Sequence, residues 1–262
     1  MTSNREIHGL LFDLDGVLYV GNDVIPGALE TLGKIRRAKI PCRFITNTST
    51  KTATDVAVKL KTLGFRIQAR DIFSAVSATR DFLREVPGDP AVHFLIHDAA
   101  KPEFAAFRQD SPQPDYVVVG DIGAAWNYVL LNRVFNELMG GAELIAMHKN
   151  KYWQVKNGLQ MDIGAFVAGL EFVSGKQAII IGKPSQAFFQ LAARHLGVEA
   201  HKVLVIGDDI DNDIGGGQAA GLKAALVKTG KYRRETAENS GITPFATLDS
   251  VADLPDLLNL PG

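Results

Sequence analysis

The chain has 262 residues, 46% of them hydrophobic, with a formal net charge of −1. That length allows one large or two smaller domains with substantial cores. The balance excludes a global electrostatic pull toward nucleic acid or anionic lipid, and the single cysteine, Cys42, excludes an intramolecular disulfide and suits a reducing compartment.

The opening residues, "MTSNREIHGLLFDLD", hold no long apolar segment, because the run breaks at Asp13; this does not read as a secretory signal. No apolar stretch reaches about 18 residues, so no membrane-spanning helix is expected. A cytoplasmic location follows as the expectation. The triplet "NTS" at Asn47 matches the glycosylation sequon, which means little without a secretory signal.

Four short apolar runs end in polar groups. "GLLF" runs into Asp13, "CRFI" into Thr46 and Asn47, "AIII" into Gly182 and Lys183, and "VLVIG" into Asp208. Short apolar runs bounded in this way read as buried strands. Helical patterns lie between them. Residues 27–40 place Leu29, Leu32, Ile35 and Ile40 near one face; residues 52–64 place Val56, Leu60 and Leu63 likewise and stop at Gly64. Residues 185–197 begin at Ser185, a candidate cap, and end at Gly197. Alternating strands and helices predict an α/β fold with a parallel sheet. In such sheets ligands bind beyond the carboxyl ends of the strands, where all these polar groups sit.

Residues 80–176 read as a separate inserted α/β unit, with residues 1–79 and 177–262 forming the core domain. The insertion has its own strand patterns, "AVHFLI", "YVVVG" and "AELIAM", and helical patterns, "WNYVLLNRVFNEL" and "DIGAFVAGLEF". Its stretch 148–158 mixes Lys149, Lys151 and Lys156 with Tyr152 and Trp153. That mixture suits either an anionic or aromatic leaving group or an ordinary surface hairpin, and is too small a patch for nucleic acid.

The polar ends carry the chemistry. Asp13 and Asp15 flank one Leu, and Gly16 follows. A strand-end carboxylate can act as a nucleophile through an acyl-phosphate, and a second carboxyl beside it can serve as general acid and then base. A bare D-x-D is equally a pair of loop acids. "GDDIDNDIGGG" crowds Asp208, Asp209, Asp211 and Asp213 into six positions after an apolar strand. A cation or solvent must relieve such crowding: Mg²⁺ suits it, since it takes oxygen ligands from one or two carboxylates and substrate phosphate, and the other reading is a solvated acidic loop. An EF-hand fits worse, because Ile214 stands where the turn needs Gly. A dinucleotide loop in "GGGQAA" is also rejected, since the upstream acids would repel a pyrophosphate. Lys183 can offset negative charge or stand as an exposed loop lysine, and Thr46 and Asn47 can hold an anion near a helix start or form an ordinary N-cap; taken singly the plainer reading of each is favoured. Together these groups describe a phosphoryl-transfer site, which depends on positioning and electrostatic stabilisation.

In that order, "DLDGVLY", "TNTS", "GKP" and "GDDIDNDIGGG" resemble the motifs of the haloacid dehalogenase superfamily over almost the whole chain. A cap between the second and third motifs resembles the class IIA phosphatases, which include phosphoglycolate, pyridoxal-phosphate and nucleotide phosphatases. The resemblance implies a Rossmann-like parallel-sheet core with an inserted α/β cap, and a Mg²⁺-dependent phosphatase acting on a small phosphorylated substrate. Asp13 would be the nucleophile that forms an aspartyl-phosphate, and Asp15 the acid and then base. Asp13, the Asp15 carbonyl and Asp208 would hold Mg²⁺. Thr46, Asn47 and Lys183 would bind the phosphoryl group, and Asp213 would reach the metal through water. Asp209 and Asp211 have no assigned role. The alternatives are a non-catalytic phospho-ligand-binding or scaffold protein, and a dehalogenase, which needs neither Mg²⁺ nor the second acid. Apolar cap helices leave room for a homodimer through the cap.

Overall fold

In the computed structural model, which describes residues 7–155 and 158–260, the first apolar run is a strand, β1 (Gly9–Asp13), buried at every position. Burial on both faces is the environment of a central parallel strand. The ribbon β2 (Tyr19–Val20) and β3 (Asp23–Val24), helix α1 (Ala28–Arg37), β4 (Cys42–Thr46), α2 (Ala53–Thr62) and β5 (Ile72–Ser74) follow. Next come α3 (Ala75–Glu85), β6 (Val92–Leu95), β7 (Tyr116–Val119), α4 (Tyr128–Met139), β8 (Glu143–Ala146), the ribbon β9 (Tyr152–Val155) and β10 (Gly158–Met161), α5 (Gly164–Ser174) and β11 (Ile179–Ile180). The chain ends with α6 (Gln186–Leu196), β12 (Val203–Gly207), α7 (Gly216–Ala219), β13 (Lys223–Val227), α8 (Arg234–Asn239), β14 (Ala246–Leu248) and α9 (Leu254–Leu257).

These elements form two units. The first comprises Met1–Thr46, Ala53–Phe73 and Lys183–Gly262, and the second Asn47–Thr52 and Ser74–Gly182. The insertion thus begins and ends several residues outside the expected 80–176, and a short segment containing Asn47 goes with it.

The first unit is built on a six-stranded sheet in the order β14-β13-β12-β1-β4-β5. Every pairing from β14 to β4 is parallel. The chain grows outward from β1 to β5 on one side and later fills the other side, so the strand order reverses between β1 and β12. Leu10, Phe12, Phe44, Leu204 and Ile206 pack with Leu32 and Ile35 of α1 and Val56 and Leu60 of α2. The Phe12 and Phe44 rings stack at 5.8 Å. Helix α6 packs on β1 and β4, and its Phe188 meets Phe73 at 5.0 Å. Leu29, expected on the apolar face of α1, is exposed instead; the buried stripe runs through Ala28, Thr31, Leu32 and Ile35. Ser185 precedes α6, but its side chain makes no capping hydrogen bond.

The second unit has its own sheet, β11-β8-β7-β6, parallel throughout. Val117, Val119, Leu144 and Ala146 pack with Val134 and Leu138 of α4 and Val167 and Leu170 of α5. The "AIII" run corrects the expectation that it belongs to the core sheet. Ile179 and Ile180 pair with Ile145 and Ala146 of β8, and the amides of Ile181 and Gly182 continue the pattern by donating to the carbonyls of Ala146 and Met147. An apolar run satisfies its backbone wherever an open edge lies, and here that edge is β8. The stretch from residue 148 leads into the antiparallel ribbon β9–β10. Lys149 donates to the carboxylate of Glu171 at 2.5 Å, while Lys151 and Tyr152 are exposed. Lys156 lies outside the described residues. No helix among the described residues is long and apolar enough to cross a membrane.

Candidate active site

The reversal of strand order between β1 and β12 creates a crevice at their carboxyl ends, where open α/β sheets bind ligands. Phe12 aligns with Ile206 and Asp13 with Ile45. Asp13 therefore ends β1, Asp208 directly follows β12, and Thr46 ends the neighbouring β4. Asp13, Asp208 and Asp213 are all buried, and each offers a carboxylate oxygen within 4.8 Å of the others.

Lys183, also buried, donates to Oδ1 of Asp13 at 2.7 Å and to Oδ1 of Asp213 at 2.6 Å. Burial pulls its ammonium toward the neutral form, but the charges of Asp13 and Asp213 more than offset this and hold it above the usual lysine value. Asp213 is pushed up to about 6, by burial first, against the opposing pull of Lys183 and with repulsion from Asp13 and Asp209. Burial, then Asp13 and Asp213, push Asp208 well above the ordinary carboxylate range, although the Lys231 amide donates to its Oδ2 at 2.6 Å. Its other oxygen, Oδ1, is buried without a hydrogen-bond partner. Three converging carboxylates, one of them with an orphaned buried oxygen, fit a hard divalent cation of the Mg²⁺ type.

The other expected residues are placed differently. Asp15 is exposed in the turn after β1, bridged to Tyr19. Burial, and then the charges of Asp15 and Asp13, push the Tyr19 hydroxyl up. Thr46 is half-buried in the first unit, whereas Asn47 is grouped with the second. Asp209 holds the backbone in shape. Its Oδ1 accepts the amides of Asp211 and Asn212 at 3.1 and 3.0 Å and starts the helical turn Ile210–Gly215. That turn brings Asp213 inward, while Asp211 stays exposed.

The loop after β13 was not anticipated from the sequence. Gly230 and Gly16 both take positive φ, 59° and 90°. A β-carbon on either would collide with Oδ2 of Asp208. The Thr229 hydroxyl donates to the carbonyl of Gly16, tying this loop to the turn after β1. The available signal was "AALVKTGK", one more apolar run ending in polar groups and Gly.

Residues 10–108 match the family described as haloacid dehalogenase-like hydrolase, and residues 180–254 match the one described as HAD-hydrolase-like. Haloacid dehalogenase-like hydrolase domain-containing protein 2 of Bos taurus is 36% identical over 250 residues, covering 95% of each chain. Phospholysine phosphohistidine inorganic pyrophosphate phosphatase of Homo sapiens is 34% identical over 258 residues, covering 96% of this chain and 94% of its own. Among solved structures, 4-nitrophenylphosphatase from Thermotoga maritima superposes with a TM-score of 0.90 at 25% identity, covering 97% of this chain and 98% of its own. NagD from E. coli K-12 gives 0.86 at 28% identity, covering 94% and 98%. On whole-length likeness and shared fold, the chain belongs to the haloacid dehalogenase superfamily of hydrolases, beside its class IIA phosphatases.

Proposed function

We propose that the protein is a Mg²⁺-dependent phosphatase of the cytoplasm that acts through an aspartyl-phosphate on a small phosphorylated molecule. The observation that carries this reading is the buried set of Asp13, Asp208 and Asp213, with Lys183 bonded to Asp13 and Asp213 and Oδ1 of Asp208 unpartnered. Such a set is costly to bury on its own and is suited to a cation and a transferring phosphoryl group.

Asp13, the Asp15 carbonyl and Asp208 would hold Mg²⁺, which when bound would offset the charge of the phosphoryl oxygens. Asp13 attacks phosphorus as the ester P–O bond breaks, and protonated Asp15 gives its proton to the leaving oxygen. Asp15, now a carboxylate, takes a proton from water as that water attacks phosphorus. The bond to Asp13 then breaks, releasing orthophosphate and restoring both side chains. Thr46 and Asn47 hold the phosphoryl oxygens. Lys183 offsets their charge, and Asp213 holds Lys183 while reaching the metal through water.

The test is hydrolysis of para-nitrophenyl phosphate by wild type and Asp13→Asn, with Mg²⁺ and with chelator. Asp13→Asn is expected to lower kcat by about a thousandfold or more, as loss of a nucleophile does. Chelation is expected to abolish turnover reversibly. Full turnover in Asp13→Asn would sink the reading.

A further inference from the structure

The second unit contains a buried polar array that the reaction scheme does not use. Nε2 of His148 lies 3.2 Å from Oγ of Ser49, and Nδ1 of His148 lies 3.9 Å from Oδ2 of Asp162. Ser49 and His148 are 2% and 4% exposed. The order Ser–His–Asp invites comparison with a hydrolytic triad. Ser49 is too deeply buried for a nucleophile, and its Oγ already accepts the amide of Asp121 at 3.1 Å. The His–Asp distance also exceeds a hydrogen bond.

The array instead serves position. Asp121 and His148 follow the carboxyl ends of β7 and β8, and both fasten Ser49. Ser49 lies two residues after Asn47, within the segment Asn47–Thr52 that belongs to the second unit. Asn47 is fixed on the same side, since its Nδ2 donates to Oδ1 of Asn150 at 3.5 Å. Asp162 is itself pinned, its Oδ1 accepting the amide of Ile163 at 2.7 Å. We propose that Ser49 and His148 are a positioning pair that sets Asn47 from within the cap and so tunes phosphate affinity. The inference rests on the reading of Asn47 as a holder of the phosphoryl group.

The experiment measures turnover of para-nitrophenyl phosphate and its inhibition by inorganic phosphate in Ser49→Ala, His148→Ala, His148→Gln and the Ser49→Ala/His148→Ala double variant. Asp13→Asn is the control and melting temperature the fold check. His148→Ala is expected to raise the phosphate inhibition constant about tenfold, the effect of one lost hydrogen bond of ordinary strength, and Ser49→Ala at least as much, since it also leaves the Asp121 amide without its acceptor. The double variant is expected to be no worse than Ser49→Ala alone, since that change already removes the bond to His148. His148→Gln is expected to recover most of the loss, because its amide reaches the position of Nε2. Unchanged inhibition constants with Asp13-dependent turnover overturn the positioning pair alone. So do lower melting temperatures with unchanged inhibition, or losses that multiply in the double variant. Absent or Asp13-independent turnover in the wild type overturns the phosphatase reading and this inference with it.

Discussion

Lys183 bonds two of the three buried acids, Asp13 and Asp213, while Lys231 acts on the same cluster from the loop after β13 and Oδ1 of Asp208 is buried without a hydrogen-bond partner. The consequence for stability has a definite sign. A carboxyl whose folded-state pKa lies above its unfolded value is bound more tightly when protonated, so its contribution is lost as pH rises through the folded value. For Asp213 that window runs from its unfolded value, roughly 3.9, to about 6, and Asp208 shifts in the same direction. As pH rises across this window the metal-free cluster therefore destabilises the fold progressively, reaching its full cost above it, and a cation that binds the ionised carboxylates restores what is lost. Mg²⁺ is expected to raise the melting temperature more at pH 7.5 than at pH 5. Asp208→Asn is expected to raise the melting temperature of the chelated protein at pH 7.5 and to abolish the Mg²⁺ response. An equal Mg²⁺ shift at both pH values would contradict the account.

Between elements, the turn after β1 and the loop after β13 close around Asp208, and two glycines make the approach possible. Gly230 takes a φ of 59°, and a β-carbon there would strike both the Asp208 carboxylate and the backbone of Gly16. Gly21 takes a φ of 60° with nothing within 4 Å of the same added atom. The pair separates two effects. Gly21→Ala carries only the cost of left-handed backbone, about 1–2 kcal/mol. Gly230→Ala carries that cost plus displacement of Asp208, and is expected to lose the Mg²⁺-induced rise in melting temperature that Gly21→Ala keeps. Like behaviour in the two variants would show that the close approach has no role. The contrast also marks what was legible in the sequence. Strands β1, β4 and β12 were legible because each is an apolar run that ends in the polar group it delivers. The meeting of Asp13 with Asp208 is legible from that shared strand-end position, whereas Lys183 arrives after a strand of the other sheet and Asp213 on the helical turn beyond β12. The run before Gly182 was misplaced because apolarity marks a strand without naming the sheet it joins. Asn47 was read beside Thr46, but residue adjacency does not reveal that the chain changes units at that peptide bond. Gly230 and Lys231 were missed because their importance lies in touching Asp208, which no local pattern records.

Across the whole molecule the topology assigns the work. Asp13, Lys183, Asp208 and Asp213 all belong to the first unit, although 200 residues of sequence separate Asp13 from Asp213. The second unit has a separate apolar cluster, from Leu95 to Leu170, distinct from the one that joins Leu10 to Leu254. A unit with its own core can unfold in its own transition, and a ligand held by one unit stabilises that unit directly. The chain carries its own reporter for this division. Both tryptophans, Trp126 and Trp153, lie in the span Ser74–Gly182. Trp126 stacks on Phe166 at 4.6 Å within the second unit, so its emission reports on that unit, while far-ultraviolet circular dichroism follows both. In urea, Mg²⁺ is expected to move part of the dichroism transition to higher denaturant and to move the emission transition less. Chelator is expected to bring the two curves closer together. Coincident curves that shift equally with Mg²⁺ would instead mean one cooperative unit, in which the cation's binding energy spreads into the cap.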